Sequence, residues 1–404
     1  MSENDSSQLK RRDFIQTSAA ATATALTMAS ANAAPATAAK IELLPKRTLG
    51  KTGVNVSILN QGTWKSPDSL DRLLRLGFAS GIRYIDTAKS YGSEPGIAKW
   101  FEANPDARKE IFLVTKDVPH TPKDLIRQLD DRLAALKVDH VDLFFHHAMG
   151  DHGEALDWPK SKEFKETIEA IKKSGKATFV GFSCHNPKKA EYLQAAAEGG
   201  FVDAIMVAYT PWLDKDAPLN RALDACHKAG IGLISMKQVA GNSDDKLKQV
   251  PKHIPYLKEK NLSAYQGLLH AIWTDERISS CCVSMRNTDQ LRENALAARI
   301  FEPLKKAEMD QLRDALLAAG PTFCANCDGS CSRAAGTEAS LGELARLLTY
   351  HDQYGFRSEA RKLYAKLDPK LKDWSGADLE AARQACHNKL DFSVLLPKLT
   401  RDLA

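Results

Sequence analysis

The feature that most constrains this chain is an alternation. Eight short apolar runs, "VSILNQG", "RYIDTA", "IFLVTK", "VDLFFHH", "ATFVGFS", "DAIMVAY", "IGLISMK" and "SSCCVSM", recur between residues 56 and 285. Each is apolar almost throughout, the pattern of strands covered on both faces. Amphipathic stretches separate them. In "TPKDLIRQLDDRLAALK", Leu125, Leu129, Leu133 and Leu136 form one stripe, Thr121 is the expected cap, Pro122 suits the first turn and Asp124 favours the N-terminal dipole. Several of these stretches end in Gly, a common helix stop. Eight strand-then-helix units predict an α/β fold, a closed (β/α)8 TIM barrel, over residues 46–320. No Gly-x-Gly-x-x-Gly follows an early strand, which argues against an open dinucleotide-binding sheet.

The flanks read differently. Lys46 to Trp64 reads as a hairpin turning at Lys51-Thr52-Gly53, then a strand. Residues 321–335 break the rhythm with Pro, Gly, Ser and Cys; three helical patterns follow, so residues 321–404 are expected to form a helical, cysteine-containing appendage. At the other end, "KRRDFIQ" carries Arg11 and Arg12 ahead of a short, threonine-diluted apolar stretch and Ala-x-Ala at Ala31–Ala33. That order matches a twin-arginine export signal over residues 1–33, with a linker over 34–45. It predicts a periplasmic protein exported already folded, with the export machinery as a partner. A basic, disordered tail is the plainer reading. The stretch is too short for the ~20 apolar residues of a spanning helix, so no stable membrane span is expected. The 56 basic and 51 acidic side chains are dispersed and leave a net charge of +5, with no basic stripe for nucleic acid and no polybasic membrane patch.

In a barrel of this kind the C-terminal ends of the strands form the active site. Asp86 ends the second run, Tyr91 follows in the loop, Lys116 ends the third and His147 ends the fourth. A carboxylate, a phenol, an ammonium and an imidazole on one rim suit proton transfer to a carbonyl oxygen. Lys116 is expected to lower the pKa of Tyr91, Asp86 to hold Lys116, and His147 to orient the substrate oxygen. His146 points the other way by strand alternation and reads as a packing residue. Trp64, Trp158 and Trp212 are candidates for an aromatic substrate wall.

"DTAKSYG", "VTK" and "VDLFFHH", in that order, resemble the aldo-keto reductase family, as do "LGKTGVNVSILNQGTW" and "QLRENALAA". The resemblance spans residues 46–300. It implies a barrel that reduces aldehydes and ketones, or runs in reverse, with NADP(H), a small-molecule carbonyl or alcohol as substrate, and Asp86, Tyr91, Lys116 and His147 as its tetrad with Tyr91 the proton donor. It also implies cofactor contacts at Thr63, Ser183, Met236, Lys237, Arg286, Gln290 and Asn294. Here the chain departs from the family pattern: Cys184 stands where Asn is common, Met206 where Gln is common, and Met236 where an aromatic ring often stacks on the nicotinamide. These departures motivate a second reading, a binding or electron-transfer protein that keeps the barrel without hydride chemistry.

Of the eight cysteines, Cys184, Cys226, Cys281 and Cys282 fall in expected strands or helices and read as buried free thiols. Cys324, Cys327 and Cys331, spaced Cys-x2-Cys-x3-Cys, and the distant Cys386 are a different set. Three close thiolates and a fourth can ligate an iron–sulfur cluster, here of the [4Fe-4S] type. Some bacterial aldo-keto reductases are similar in carrying a ferredoxin-like tail, although the usual Cys-Pro is missing. Zinc, with Cys386 or His387 as fourth ligand, and disulfides formed in an oxidising periplasm are the alternatives.

Overall fold

The computed structural model describes residues 42–65, 70–237, 252, 254–319, 324, 327–352 and 355–404. The export-signal reading at Arg11 and Arg12, residues 34–41 of the expected linker, and the loop after Lys237 lie outside the described residues.

All eight apolar runs form strands. After an antiparallel hairpin of β1 (Lys46–Thr48) and β2 (Asn55–Ser57) come β3 (Leu59–Gly62), β4 (Tyr84–Asp86), β5 (Phe112–Asp117), β6 (Val141–His146), β7 (Ala177–Cys184), β8 (Ala204–Ala208), β9 (Gly232–Met236) and β10 (Ile278–Ser284). Each of β3 to β9 pairs in parallel with the next, and β10 pairs with both β9 and β3, which closes the barrel. Two apolar layers hold it. The interior is filled by Tyr84, Phe112, Leu143, Phe145, Met206 and Ile234, with Leu49 of the hairpin at the strands' N-terminal ends. The outer layer packs helix stripes against the sheet, including Leu125, Leu129, Phe144, Ile168, Leu223 and Ile272. Each such side chain, fully buried, contributes about 1.5–3 kcal/mol. At Gly181 a Cβ would stand 1.8 Å from Ala204 O, so β7 and β8 meet there only because the side chain is a hydrogen.

One detail of the helix reading changes. The helix begins at Asp124, and Thr121 does not cap it; instead the Asp124 carboxylate accepts from the backbone N–H groups of His120 and Thr121, because Pro122 holds the chain in a turn before the helix. Further along, Ser263 and Gln266 form a full capping box at the start of Ala264–Thr274.

The C-terminal region is helical, as expected. Leu341–Asp352, Arg357–Lys366, Leu379–Ala385 and Phe392–Leu403 pack around Leu344, Leu347, Leu348, Ala382, Leu396 and Leu399. Leu341–Asp352 is buried on almost every side, because the barrel covers one face and the other tail helices cover the rest. No described helix is long and apolar enough to cross a membrane.

Candidate active site

Asp86, Tyr91, Lys116 and His147 come together at the C-terminal mouth of the barrel. Lys116 Nζ, fully buried, donates to Asp86 Oδ1 at 2.5 Å and to Thr87 O at 2.8 Å. The same ammonium lies 5.1 Å from the centre of the Tyr91 ring, and the His147 ring meets Tyr91 edge-on at 5.6 Å. Tyr91 closes a short helical turn, Lys89–Tyr91, that ends because Gly92 adopts φ 70°, a conformation costly for any residue with a Cβ. A buried polar frame holds this turn. The Ser93 hydroxyl bonds to Thr63 Oγ1 at 2.8 Å and Thr87 Oγ1 at 2.7 Å. Glu94 accepts from Thr115 at 2.7 Å and Arg132 at 2.6 Å.

Electrostatics assign each group a protonation state. Burial, with Asp86, Cys282 and Tyr350 adding to it, pushes the Tyr91 phenol well above its usual range. The expected net lowering by Lys116 is therefore not seen: desolvation and the charge of Asp86 outweigh whatever lowering the ammonium supplies. Tyr91 thus keeps its proton at neutral pH, as a proton donor must. Burial, then Lys116 and Lys237, hold His147 well below the ordinary histidine range, so its imidazole is neutral.

His146, by contrast, is fully buried beneath the rim, with Nε2 3.2 Å from Glu154 Oε1 and its ring edge-on to Trp158. Trp158 also stacks on Phe164, and Trp212 donates to Met309 O, so both are packing residues rather than a substrate wall. Trp64 does face the mouth, where it contacts two tail aromatics, Tyr350 and Phe356, each at 5.4 Å.

The cofactor candidates follow the rim from β3 around to β10. Thr63 is buried, with its hydroxyl donating to Asp86 O at 2.9 Å. Ser183 is buried on β7, where its hydroxyl accepts from Ala148 N–H at 2.9 Å. Met236 ends β9, and Lys237 follows it at φ 58°. Beyond β10, the Arg286 guanidinium lies 5.0 Å from the Phe356 ring, Gln290 accepts from the Arg286 backbone N–H at 2.9 Å, and Asn294 is buried on the next helix.

Sequence reasoning missed the tail's own contribution. Helix Leu341–Asp352 lies over the mouth and sends three polar side chains into it. Arg346 Nε donates to Glu343 Oε2 at 2.8 Å, and its guanidinium lies 4.7 Å from the Tyr350 ring. Glu343 and Arg346 both act on Lys237 and Asp151 of the barrel, and Arg346 also acts on His185. Positions 343, 346 and 350 share one face of an otherwise leucine-rich helix, which is the signal that reveals them. Cys282 was read only as a buried thiol; it lies beside Asp86, where burial and that carboxylate keep the thiol protonated and its S–H favours the ionised carboxylate.

Lys237 gives a testable pH effect. Burial and then Arg346 push its ammonium down to about 7, against the opposing pull of Glu343 and Asp151. The unfolded chain holds this proton up to the ordinary lysine range, so stability rises as pH climbs above 7. Lys237→Met is expected to be more stable than wild type at pH 7, with that advantage shrinking by roughly 1 kcal/mol per pH unit toward pH 9. Denaturant melts of both proteins across that range measure it.

A closed parallel barrel whose mouth gathers a buried Lys–Asp pair, a tyrosine and a neutral histidine has the architecture of an oxidoreductase barrel. The aldo/keto reductase family model matches residues 57–316, and the chain belongs to that family. It is an oxidoreductase. It is 24% identical over 327 residues to the L-glyceraldehyde 3-phosphate reductase of Escherichia coli O157:H7, covering 66% of this chain and 91% of that protein. It is 27% identical over 293 residues to aldo-keto reductase family 1 member A1 of Bos taurus, covering 65% and 87%. Among solved structures, an aldo-keto reductase from Bacillus halodurans in its holo form superposes with a TM-score of 0.54 at 21% identity, over 67% of this chain and 96% of that one. These relatives do not favour a barrel that has lost hydride chemistry. The tail cysteines fall beyond the matched segment.

No disulfide joins any of the eight cysteines. Cys324, Cys327, Cys331 and Cys386 line one cavity at the base of the tail, together with His387 and Pro187. His387 lies beside the Cys327 thiol, within 4.8 Å of it; the contact raises the imidazole and, with Lys189, outweighs burial to lower the thiol.

Proposed function

We propose that this chain is an exported, NADP(H)-dependent reductase of an aldehyde or ketone, able to run in reverse, with a metal–sulfur centre in its tail. The observation that carries the reductase reading is the buried Lys116–Asp86 pair within 5.1 Å of the Tyr91 ring. In this reading His147 donates to the substrate oxygen and fixes it, and Tyr91 passes it a proton. Lys116, held by Asp86, offers the positive charge that stabilises the tyrosinate left behind.

The rim residues fit a dinucleotide in their chemistry. Lys237 is a cation held in a desolvated site with its charge disfavoured, which an anion would relieve. Arg286 supplies a guanidinium for the 2′-phosphate, near Gln290 and Asn294. Ser183, Met236 and Thr63 would hold the nicotinamide end, and Thr63 would do so through the loop it fixes to Asp86 O. When bound, the reduced cofactor supplies the hydride. Consumption of NADPH with a panel of aldehydes and ketones, followed by loss of the reduced nicotinamide's near-ultraviolet absorbance, tests the reading. Absence of both binding and turnover overturns it.

An iron–sulfur centre is supported by donor chemistry: four cysteines line the tail cavity and no disulfide consumes them. Cys324, Cys327, Cys331 and Cys386 would be its ligands. The His387–Cys327 contact favours zinc as the second reading, and iron, zinc and sulfide analysis of protein purified without air separates the two. Folded export suits a protein that acquires a dinucleotide and a cluster in the cytoplasm. Replacing Arg11 and Arg12 together by lysine is expected to leave the protein in the cytoplasmic fraction.

A further inference from the structure

Among the described residues, the barrel buries a cation, Lys189, that the reductase chemistry does not use and that no carboxylate pairs, unlike buried Arg83 and Arg132. Lys189 opens the helix Lys189–Gly199 and is 0% exposed. A cation at a helix N-terminus faces the positive end of the dipole. Among the described residues its ammonium makes a single hydrogen bond, a long 3.5 Å contact to Asn186 O, and no ion pair. A buried charge so poorly satisfied needs an anion nearby. Burial disfavours its charge, and the tail groups that would favour it are Cys327, Asp328 and Cys324. Pro187, two residues before it, is part of the wall of the cavity that Cys324, Cys327, Cys331 and Cys386 share.

We propose that Lys189 is the barrel's counter-cation to the thiolate-ligated centre of the tail, and that its charge sets how readily that centre accepts an electron. The inference rests on the metal–sulfur reading above. Four thiolates outweigh the charge of an iron–sulfur core, so the centre is anionic. One-electron reduction by an external donor breaks no bond and adds one negative charge. A buried ammonium beside the wall of that cavity favours the added charge, and so favours the reduced state. It also gives barrel and tail a shared electrostatic contact, because the cation comes from one and the thiolates from the other. Lys189 is a positioning residue: it touches neither substrate nor nicotinamide.

The test uses full-length protein purified without air, titrated with dithionite in the presence of mediator dyes and followed by visible absorbance, with iron and sulfide measured on the same samples. In Lys189→Met the iron content is expected to equal wild type. At the potential where the wild-type centre is half reduced, its reduced-to-oxidised ratio is expected to fall about tenfold, equivalent to about 59 mV for one electron. Lys188→Met, an exposed neighbour, is expected to match wild type. Equal ratios in Lys189→Met and wild type, both fully loaded with iron, overturn the counter-cation. A wild-type protein with no iron and no visible band overturns the iron–sulfur reading on which this inference rests. Where Lys189→Met does not fold, Lys189→Arg, which keeps the charge, is expected to load iron and hold the wild-type ratio; a loaded Lys189→Arg with a tenfold lower ratio overturns the role.

Discussion

Tyr91→Phe is expected to reduce kcat for carbonyl reduction by about 10²- to 10⁴-fold while the folded protein loses almost no stability. The separation follows from where the hydroxyl sits. Among the described residues it makes no hydrogen bond, so its removal orphans no partner; the ring, which packs edge-on against His147, remains. What disappears is a proton that burial and the surrounding negative groups keep on the phenol at neutral pH. Dinucleotide affinity, read by fluorescence titration, should be unchanged, because the phenol acts at the carbonyl oxygen. A variant that turns over at the wild-type rate would show that the proton comes from elsewhere on the rim, and His147 would be the first place to look.

Lys116→Met is expected to cost stability as well as activity. It leaves the Asp86 carboxylate, 1% exposed, without its cation. Removing one partner of a buried pair costs about 3–5 kcal/mol, since the surviving charge keeps its desolvation penalty and loses its compensation. Burial already pushes the Asp86 carboxyl up, and Lys116 is the main influence pulling it back. In the variant that pull is gone and the carboxyl rises further. A raised carboxylate is penalised above its pKa and relieved as it protonates, so the deficit should shrink as pH falls. Asp86→Asn with Lys116→Met should recover much of the stability and none of the turnover. Urea melts of the single and double variants at neutral and acidic pH measure both effects; a Lys116→Met protein as stable as wild type would mean that water or Cys282 compensates Asp86.

How much of this was legible in the sequence depends on the range of the interaction. The eight strands follow from runs such as "IFLVTK" and "VDLFFHH", whose apolar patterning is local. The rim residues follow from one geometric fact: strand ends in a closed barrel share a mouth, so Asp86, Lys116 and His147 meet though 30 and 31 residues separate successive members. Thr121 shows the limit even at short range: the helix starts three residues on at Asp124, whose carboxylate accepts the Thr121 backbone N–H instead of Thr121 capping the helix. The sign of the Tyr91 shift was not legible at all. It depends on how much water the tail excludes, and the tail's Tyr350 is one of the groups that raise it.

By itself, then, the sequence determined the barrel, its hairpin, the helical tail and the ordered set of proton-transfer residues, because each is written in periodicity or in strand position. Only the tertiary structure decided that helix Leu341–Asp352 roofs the mouth, that Glu343, Arg346 and Tyr350 enter the site, and that Lys189 is buried near the tail cysteines. Those outcomes rest on aromatic and charged surfaces meeting across distant parts of the chain, Trp64 with Tyr350 and Phe356 above all. Complementarity of that kind has no period along the backbone; it exists only once both surfaces are folded.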